Sequence, residues 1–369
     1  MAKLLWINNG FIDKELYAPF VVKTDLDYFK DLQNRYRLLK QSAKRAGADE
    51  ISLKIISAYS KKICDAIVAY YNGNITLSHT KIRNLIKDCN HNSFAVNSID
   101  KSDAFPGPHG TEIQFYRART SSNPKGFKAS EMLHLPLSMR GMTGNYRFSI
   151  SGIPSLYLAN SSYACWLETG MPAEHDFNVS PVILDGTQKI LNLAVMTRNL
   201  SCLNELEEDR VHCWLKLLIM MIATSYTIEE EGRIFKSEYI ISQSIMLACK
   251  ELGLDGVAYF SKRVEDEAFA YSAINLVLFA KYKGKSKFSE ICNHLKIDDS
   301  YNYAMFKQFT HSITYKNYTL RTQGTGLITN IGNYRRQYSY TDTEFCKFDK
   351  FMFASWDDKD SIPWGNALL

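Results

Sequence analysis

Arginine, glutamate, tyrosine and serine side chains recur in three short parts of the chain, and together these residue types could bind a phosphorylated ligand and cleave a bond in it. In chain order the parts are residues 115–119; residues 146–148 with 152–159 and 164–168; and residues 238–243 with 254–261 and 275–279. An arginine guanidinium meets phosphate oxygens in a bidentate way that a lysine ammonium cannot. A carboxylate stabilises the positive charge that develops on a sugar ring when its glycosidic bond breaks.

In this order and spacing, the three parts resemble the RES family, which is named for an Arg, a Glu and a Ser. The resemblance covers roughly residues 111–282, about half of the chain. It implies an ADP-ribosyltransferase-like α+β fold and consumption of NAD+ by hydrolysis or phosphorolysis. Members of the family are commonly toxins of toxin–antitoxin pairs.

The resemblance also implies which residues line the site. The family's opening-strand Arg falls on Arg117, its second Arg on Arg147, its strand Tyr on Tyr157, its helix Glu on Glu168, its late Ser on Ser261 and the polar residue of its last strand on Asn275. We therefore expect the two arginines to bind the pyrophosphate and Tyr157 to contact nicotinamide. Glu168 should act on the ribose, with Ser261 and Asn275 lining the pocket. Where the family often has two glycines before the second Arg and an Asn after it, this chain has Asn145-Tyr146 and Ser149.

Each of these residues also has a purely structural interpretation. A lone strand arginine such as Arg117 is usually an ion-pair partner, and a tyrosine in an apolar strand, such as Tyr157, is usually core. Glu168 could serve the helix dipole, and Ser261 could cap a turn. Their joint occurrence in the family's order favours the ligand-site interpretation.

The resemblance thus implies an NAD+ glycohydrolase or phosphorylase that depletes NAD+ and arrests growth, as in phage defence. NAD+ is its substrate, and neither a cofactor nor a metal is expected. Two alternatives stay open: transfer of ADP-ribose to a macromolecular target, and a catalytically inactive binding module. An antitoxin or immunity protein and a homo-oligomer are the expected partners.

Composition excludes several other classes of protein. The net charge is +5 and basic residues are scattered among acidic ones, which disfavours a nucleic-acid binder. Residues 217–223 form the longest apolar run, far below the roughly 20 residues that span a bilayer. The N-terminus lacks signal-peptide features, and the eight cysteines form no C-x-x-C pair. We therefore expect a cytoplasmic protein with reduced cysteines and no membrane segment.

The elements that must position the site divide the chain into three predicted parts. Residues 1–100 read as a helical domain, similar to the HEPN-related extension of longer RES proteins, with helices over 24–39, 51–67 and 82–86. A polar stretch, 90–110, precedes the α+β catalytic domain at 111–282. Its expected strands are 113–116, 155–159, 181–184, 257–260 and 274–279, with helices at 204–222 and 237–252. Residues 283–369 suggest a β-rich extension with hairpins over 315–331 and 339–353.

Other motifs are weak or absent. The chain has no phosphate-binding G-x-x-x-x-G-K-[ST] loop, no G-x-S-x-G elbow and no H-E-x-x-H helix. Cys-Asn-His occurs at 89–91 and again at 292–294, where a shared metal is conceivable but not expected. Arg83 and His91 are too far apart for a HEPN ribonuclease motif, so RNA cleavage by the helical region is not expected either.

Overall fold

A computed structural model describes residues 6, 11–89, 96–98, 113–123, 125–195, 208–229, 232–265, 267–282, 286–310, 330–333 and 336–357. Its helices are α1 Asp25–Arg45, α2 Glu50–Tyr71, α3 Ile75–Lys87, α4 Ala129–Met132, α5 Ser162–Glu168, α6 Glu208–Thr224, α7 Ile240–Glu251, α8 Tyr303–Thr310 and α9 Glu344–Asp357. Its strands are β1 Val96–Ser98, β2 Ile113–Thr120, β3 Ser155–Ala159, β4 Phe177–Leu184, β5 Lys189–Asn192, β6 Gly256–Phe260, β7 Ile274–Phe279, β8 Leu295–Ile297, β9 Tyr301–Asn302, β10 Asn330–Asn333 and β11 Arg336–Ser339. The fold is α+β, as predicted.

The chain folds into two compact units, each made of several segments. The first unit comprises residues 1–97, 146–148 and 190–268; the second comprises residues 98–145, 149–189 and 269–369. One break between the units, after residue 97, falls within the polar stretch at 90–110, while the N-terminal helices share their unit with α6 and α7. The physical reason is packing: α2 lies against α1, α3 and α6, and α3 lies against α7.

Buried tyrosines show how the first unit is held together. The hydroxyls of Tyr28 and Tyr36 on α1 donate hydrogen bonds to the carbonyls of Ala223 and Ile219 on α6, at 3.0 and 2.9 Å. Helix α6 is almost entirely buried, so the apolar run at 217–223 is a core helix segment, as predicted. Strands β5 and β6 pair in parallel in the same unit.

An antiparallel sheet forms the centre of the second unit. Its strand order is β7-β3-β2-β4-β8, and β9 also pairs with β4. Strand β2 pairs with β4 along its whole length, from Ile113 opposite Leu184 to Thr120 opposite Phe177. The predicted strands at 155–159 and 274–279 are confirmed to the residue as β3 and β7.

The prediction of a β-hairpin over 339–353 is wrong, because residues 344–357 form helix α9. Its apolar residues recur every three or four positions, at Phe345, Phe348, Met352 and Trp356, which is a helical period rather than the alternation of a strand. Strands β10 and β11 do form an antiparallel pair in this part of the chain. Residues 311–329, most of the other predicted hairpin, lie outside the described residues.

Within the part of the chain that the structure describes, every helix is too short or too polar to cross a lipid bilayer.

Candidate functional site

Four of the six predicted site residues lie in the second unit, on neighbouring elements. Arg117 lies on β2, Tyr157 on β3 and Asn275 on β7, and Glu168 is the last residue of α5, which follows β3. In the sheet, Ala159 lies opposite both Tyr116 of β2 and Asn275 of β7. Because side chains alternate along a strand, Tyr157 and Asn275 project from the same face of the sheet.

Glu168 and Asn275 are in direct contact. The amide nitrogen of the buried Asn275 donates a hydrogen bond to Glu168 Oε1 at 2.5 Å, although 107 residues separate them in the sequence. Glu168 itself is exposed at the end of its helix. The contact orients the carboxylate while Glu168 stays accessible to solvent, as a group that acts on a ligand must be.

Helix α5 fixes where this carboxylate lies. Its N-cap, Ser161, accepts a hydrogen bond from the Ala164 N–H at 3.0 Å. At the other end, the Gly170 N–H donates to the Leu167 carbonyl, and the Met171 N–H donates to the Trp166 carbonyl at 2.8 Å. This is a Schellman turn, and Gly170 has the positive φ of +82° that it requires. Both ends of the helix that carries Glu168 are therefore defined.

Arg117 is half-buried and bonds to the main chain of the neighbouring strand. Its Nη1 donates to the Tyr157 carbonyl at 2.8 Å. Strand alternation sends the Arg117 side chain to the face opposite that of Tyr116, and so opposite that of Tyr157 and Asn275. Its charge still acts on the buried Cys165 thiol of α5, as does the charge of Glu168. Burial is the main cause of the raised pKa of Cys165, with Arg117 lowering it and Glu168 raising it.

The other two predicted residues, Arg147 and Ser261, belong to the first unit. Arg147 is buried, and its Nη1 and Nη2 donate to the carbonyls of Thr224 and Tyr226 at 2.7 and 2.5 Å. Its guanidinium also lies 5.2 Å from the ring centroid of Tyr239. Thr224 ends α6, where a cation interacts favourably with the helix dipole. These contacts suit an arginine that anchors residues 146–148 to its own unit.

Ser261 is buried directly after β6, where its hydroxyl accepts a hydrogen bond from the Arg263 N–H at 3.1 Å. This is the geometry of a serine turn, which matches the structural interpretation of this residue. The predicted contacts of Ser261 and Arg147 with a ligand stay predictions.

Asp349 of α9 is a charged residue that sequence reasoning missed. It is buried, and its carboxylate accepts hydrogen bonds from the Ser162 N–H at 3.1 Å and from the hydroxyl of Tyr340. Burial raises its pKa to about 7, and the hydrogen bonds from Ser162, Tyr340 and Tyr116 oppose this shift. No local motif marks Asp349, because Ser162 lies 187 residues earlier in the chain.

His134 is a buried histidine of the second unit with a structural role. Its Nδ1 lies 2.8 Å from the Leu135 carbonyl, and its Nε2 accepts a hydrogen bond from the Ser289 N–H at 3.1 Å. These partners assign a neutral ring with the proton on Nδ1. Burial is the main cause of its lowered pKa, which agrees with that assignment.

No group of three or more His, Cys, Asp or Glu side chains able to hold a metal occurs among the described residues. His91, one member of the Cys-Asn-His pair considered for a metal, lies outside them.

Part of the chain resembles a known protein family. Residues 114–291 match the family model of the RES domain. The chain is 28% identical over 260 residues to a Bacillus subtilis (strain 168) protein named "Putative toxin YopC", a match that covers 65% of this chain and 57% of that protein. The chain thus spans little more than half the length of this relative. No solved structure matches the chain.

Proposed function

We propose, from the premise that this chain belongs to the RES domain family, that it is a toxin that binds NAD+ and cleaves its nicotinamide–ribose bond. The observation that carries the proposal is the hydrogen bond between Glu168 and Asn275. Two residues that the family's motifs single out, from distant parts of the sequence, meet at one solvent-accessible carboxylate. An exposed carboxylate fixed at a rigid helix end is what a cationic sugar in a transition state requires.

The reaction that fits this carboxylate is a substitution at the ribose C1′. The bond from C1′ to the pyridinium nitrogen breaks, and its electron pair leaves with nicotinamide, which becomes neutral. The oxygen of water or of phosphate bonds to C1′, and the proton of the attacking group passes to Glu168 or to solvent. While the bond breaks, positive charge develops on the ribose, and Glu168 stabilises it.

Two other residues of the second unit have supporting roles in this proposal. Asn275 orients Glu168, and Tyr157 offers an aromatic face to nicotinamide. Arg117 receives no role in this proposal, because its side chain projects from the face of the sheet opposite that of Tyr157 and Asn275. Arg147 and Ser261 receive no role in bond cleavage, since the hydrogen bonds of Arg147 anchor it within the first unit and that of Ser261 closes a local turn.

NAD+ depletion would arrest growth and would require a neutralising antitoxin or immunity protein in the producing cell. The proposal therefore includes such a partner and a cytoplasmic site of action, where NAD+ is found. The toxin name of the B. subtilis relative supports this part of the proposal.

Nicotinamide release by the purified full chain tests the proposal. We expect the wild type to release nicotinamide from NAD+, and Glu168→Gln to lower kcat by about 100-fold or more. The matched control is Glu174→Gln, which removes an exposed carboxylate that pairs with Lys307. Omitting phosphate separates phosphorolysis from hydrolysis, and labelled NAD+ reveals any transfer to a macromolecule. A wild-type protein that leaves NAD+ intact would contradict the proposal and favour a binding module.

A further inference from the structure

The position of Glu168 depends on what holds the ends of α5. This helix has seven residues, and helices of this length are not stable by themselves in water. Its C-terminal end is fixed by the Schellman turn at Gly170, within the segment that matches the RES domain. Its N-terminal end is capped by Ser161 and is also held by a residue from outside that segment.

That residue is Asp349 of α9. The N–H of Ser162, the first residue of α5, has no acceptor within the helix, as is usual in a first turn. Asp349 Oδ1 accepts this hydrogen bond at 3.1 Å. A carboxylate at this position also interacts favourably with the positive end of the helix dipole. Ser161 and Asp349 thus share the task of capping α5.

Further contacts tie α9 to α5. The Ser162 hydroxyl donates to the Phe345 carbonyl at 3.4 Å. The Phe345 ring lies 5.5 Å from the ring of Tyr163 and 5.6 Å from that of Trp166, between centroids. Residues of the first and second turns of α5 therefore contact one segment of α9.

We propose that Asp349 is a positioning residue for the reaction: by holding the first turn of α5 against α9, it sets where Glu168 lies at the other end of the helix. This inference rests on the proposed function. It extends the functional unit beyond residues 114–291 to the C-terminal helix.

Burying a carboxylate carries a desolvation cost in free energy. This cost supports a functional role for Asp349. An asparagine could accept the Ser162 hydrogen bond without the desolvation penalty that a charge carries. The pKa of Asp349, raised by burial to about 7, means that its charge changes near neutral pH. When Asp349 is protonated, one of its oxygens becomes a donor, and the hydrogen bonds that it accepts from the surrounding N–H and O–H groups weaken.

The titratable side chains that face Asp349 are tyrosines and cysteines. They come from β2, α5, α8, the turn before α9 and α9 itself, and are Tyr116, Cys165, Tyr303, Tyr340 and Cys346. Burial raises the pKa of Cys165, Tyr303, Tyr340 and Cys346. A change of activity near pH 7 that depends on residue 349 therefore reports Asp349.

The experiment measures kcat and KM for NAD+ against pH for the full-length wild type, Asp349→Asn, Asp349→Ala and a control. The control, Glu344→Gln, makes the same change from carboxylate to amide on a half-buried residue of α9 that pairs with Lys347. We expect the wild-type kcat to rise with pH through an inflection near 7, and Asp349→Asn to lack that inflection. Asp349→Ala should lower kcat by about tenfold or more with an unchanged KM, because small displacements of a catalytic group cost rate rather than affinity.

The outcomes separate this inference from the proposed function. If the wild type cleaves NAD+ but Asp349→Asn keeps the wild-type kcat and pH profile, Asp349 is not a positioning residue, while NAD+ cleavage stands. If the wild type releases no nicotinamide, both proposals fall. If Asp349→Ala does not fold, the pH profile of Asp349→Asn decides.

Discussion

The surroundings of Glu168 in the second unit and of Arg147 in the first unit differ in a way that separates ligand chemistry from architecture. Glu168 is exposed at a helix end and accepts a hydrogen bond from Asn275. Arg147 is buried, and both of its terminal nitrogens donate to main-chain carbonyls. Both residues match charged positions of the same family pattern, yet their contacts indicate different roles.

The difference teaches that a family motif can serve the fold as well as the chemistry. An arginine that binds the carbonyl at a helix end and a second carbonyl just beyond it joins two distant chain segments at one point. A motif position occupied in this way would be retained even where it never touches the ligand. The predictions below test how far this contrast holds.

The largest effect on stability is expected for Arg147→Ala. Removing the guanidinium leaves the carbonyls of Thr224 and Tyr226 without this donor, and each buried polar group left unpaired costs about 1–3 kcal/mol. We expect the free energy of unfolding to fall by about 3 kcal/mol or more. Glu168→Gln should change it by less than about 1 kcal/mol, because the amide oxygen can still accept from Asn275. Urea unfolding followed by circular dichroism measures both.

Arg140→Ala, a change at an exposed arginine, is the control for loss of charge alone. The contrast would fail if Arg147→Ala kept the wild-type unfolding free energy while its KM for NAD+ rose. That result would assign Arg147 to the phosphate site, as the family resemblance implies.

Much of the local structure could be predicted from the sequence. Apolar runs predicted β3 and β7 to the residue. Helix α9 was missed because aromatic and polar residues are interspersed along it, and its helical period emerges only when the count runs on to Trp356. That α6 and α7 share a unit with the N-terminal helices could not be predicted, because packing of α2 on α6 is a long-range contact with no local signal.

The site was predictable only where residues match a motif. Glu168 and Asn275 were named from the sequence, and the structure brings them into contact. Asp349 was not, since its importance comes from a hydrogen bond to a main-chain N–H, which any residue at position 162 other than proline would offer. The family resemblance also ends before residue 349, so it could not supply this residue.

A second prediction concerns the stability cost of Asp349. Its pKa is about 7, against an ordinary 3.8, so the folded state binds the proton more tightly than the unfolded state does. Wild-type stability should therefore fall as pH rises from about 4 to 7, by at most about 4 kcal/mol. Asp349→Asn avoids this penalty but changes the hydrogen bonds, and we expect a net gain of about 2 kcal/mol at pH 8.

Urea unfolding at pH 5 and pH 8 checks this expectation, with Glu344→Gln again as control. The gain of Asp349→Asn over the wild type should be larger at pH 8. A gain that does not vary with pH would mean that burial does not raise the pKa of Asp349. If Asp349→Asn is more stable than the wild type but has a lower kcat, the contrast is sharpened. The carboxylate would then support the reaction while lowering the stability of the fold.

The smallest effect is expected for Gly170→Ala, at the other end of α5. A Cβ on Gly170 would meet no atom within 4 Å, so the cost is that of a positive φ alone, about 1 kcal/mol. Gly141→Ala, where the glycine is equally open but φ is not positive, is the matched control. Since Glu168 precedes this turn by two residues, kcat should fall with the lost stability, and Gly170→Asn should recover part of both, because asparagine tolerates this conformation. If Gly170→Ala is as active as the wild type while Asp349→Ala is not, then the N-terminal end of α5, held by α9, alone governs where Glu168 lies.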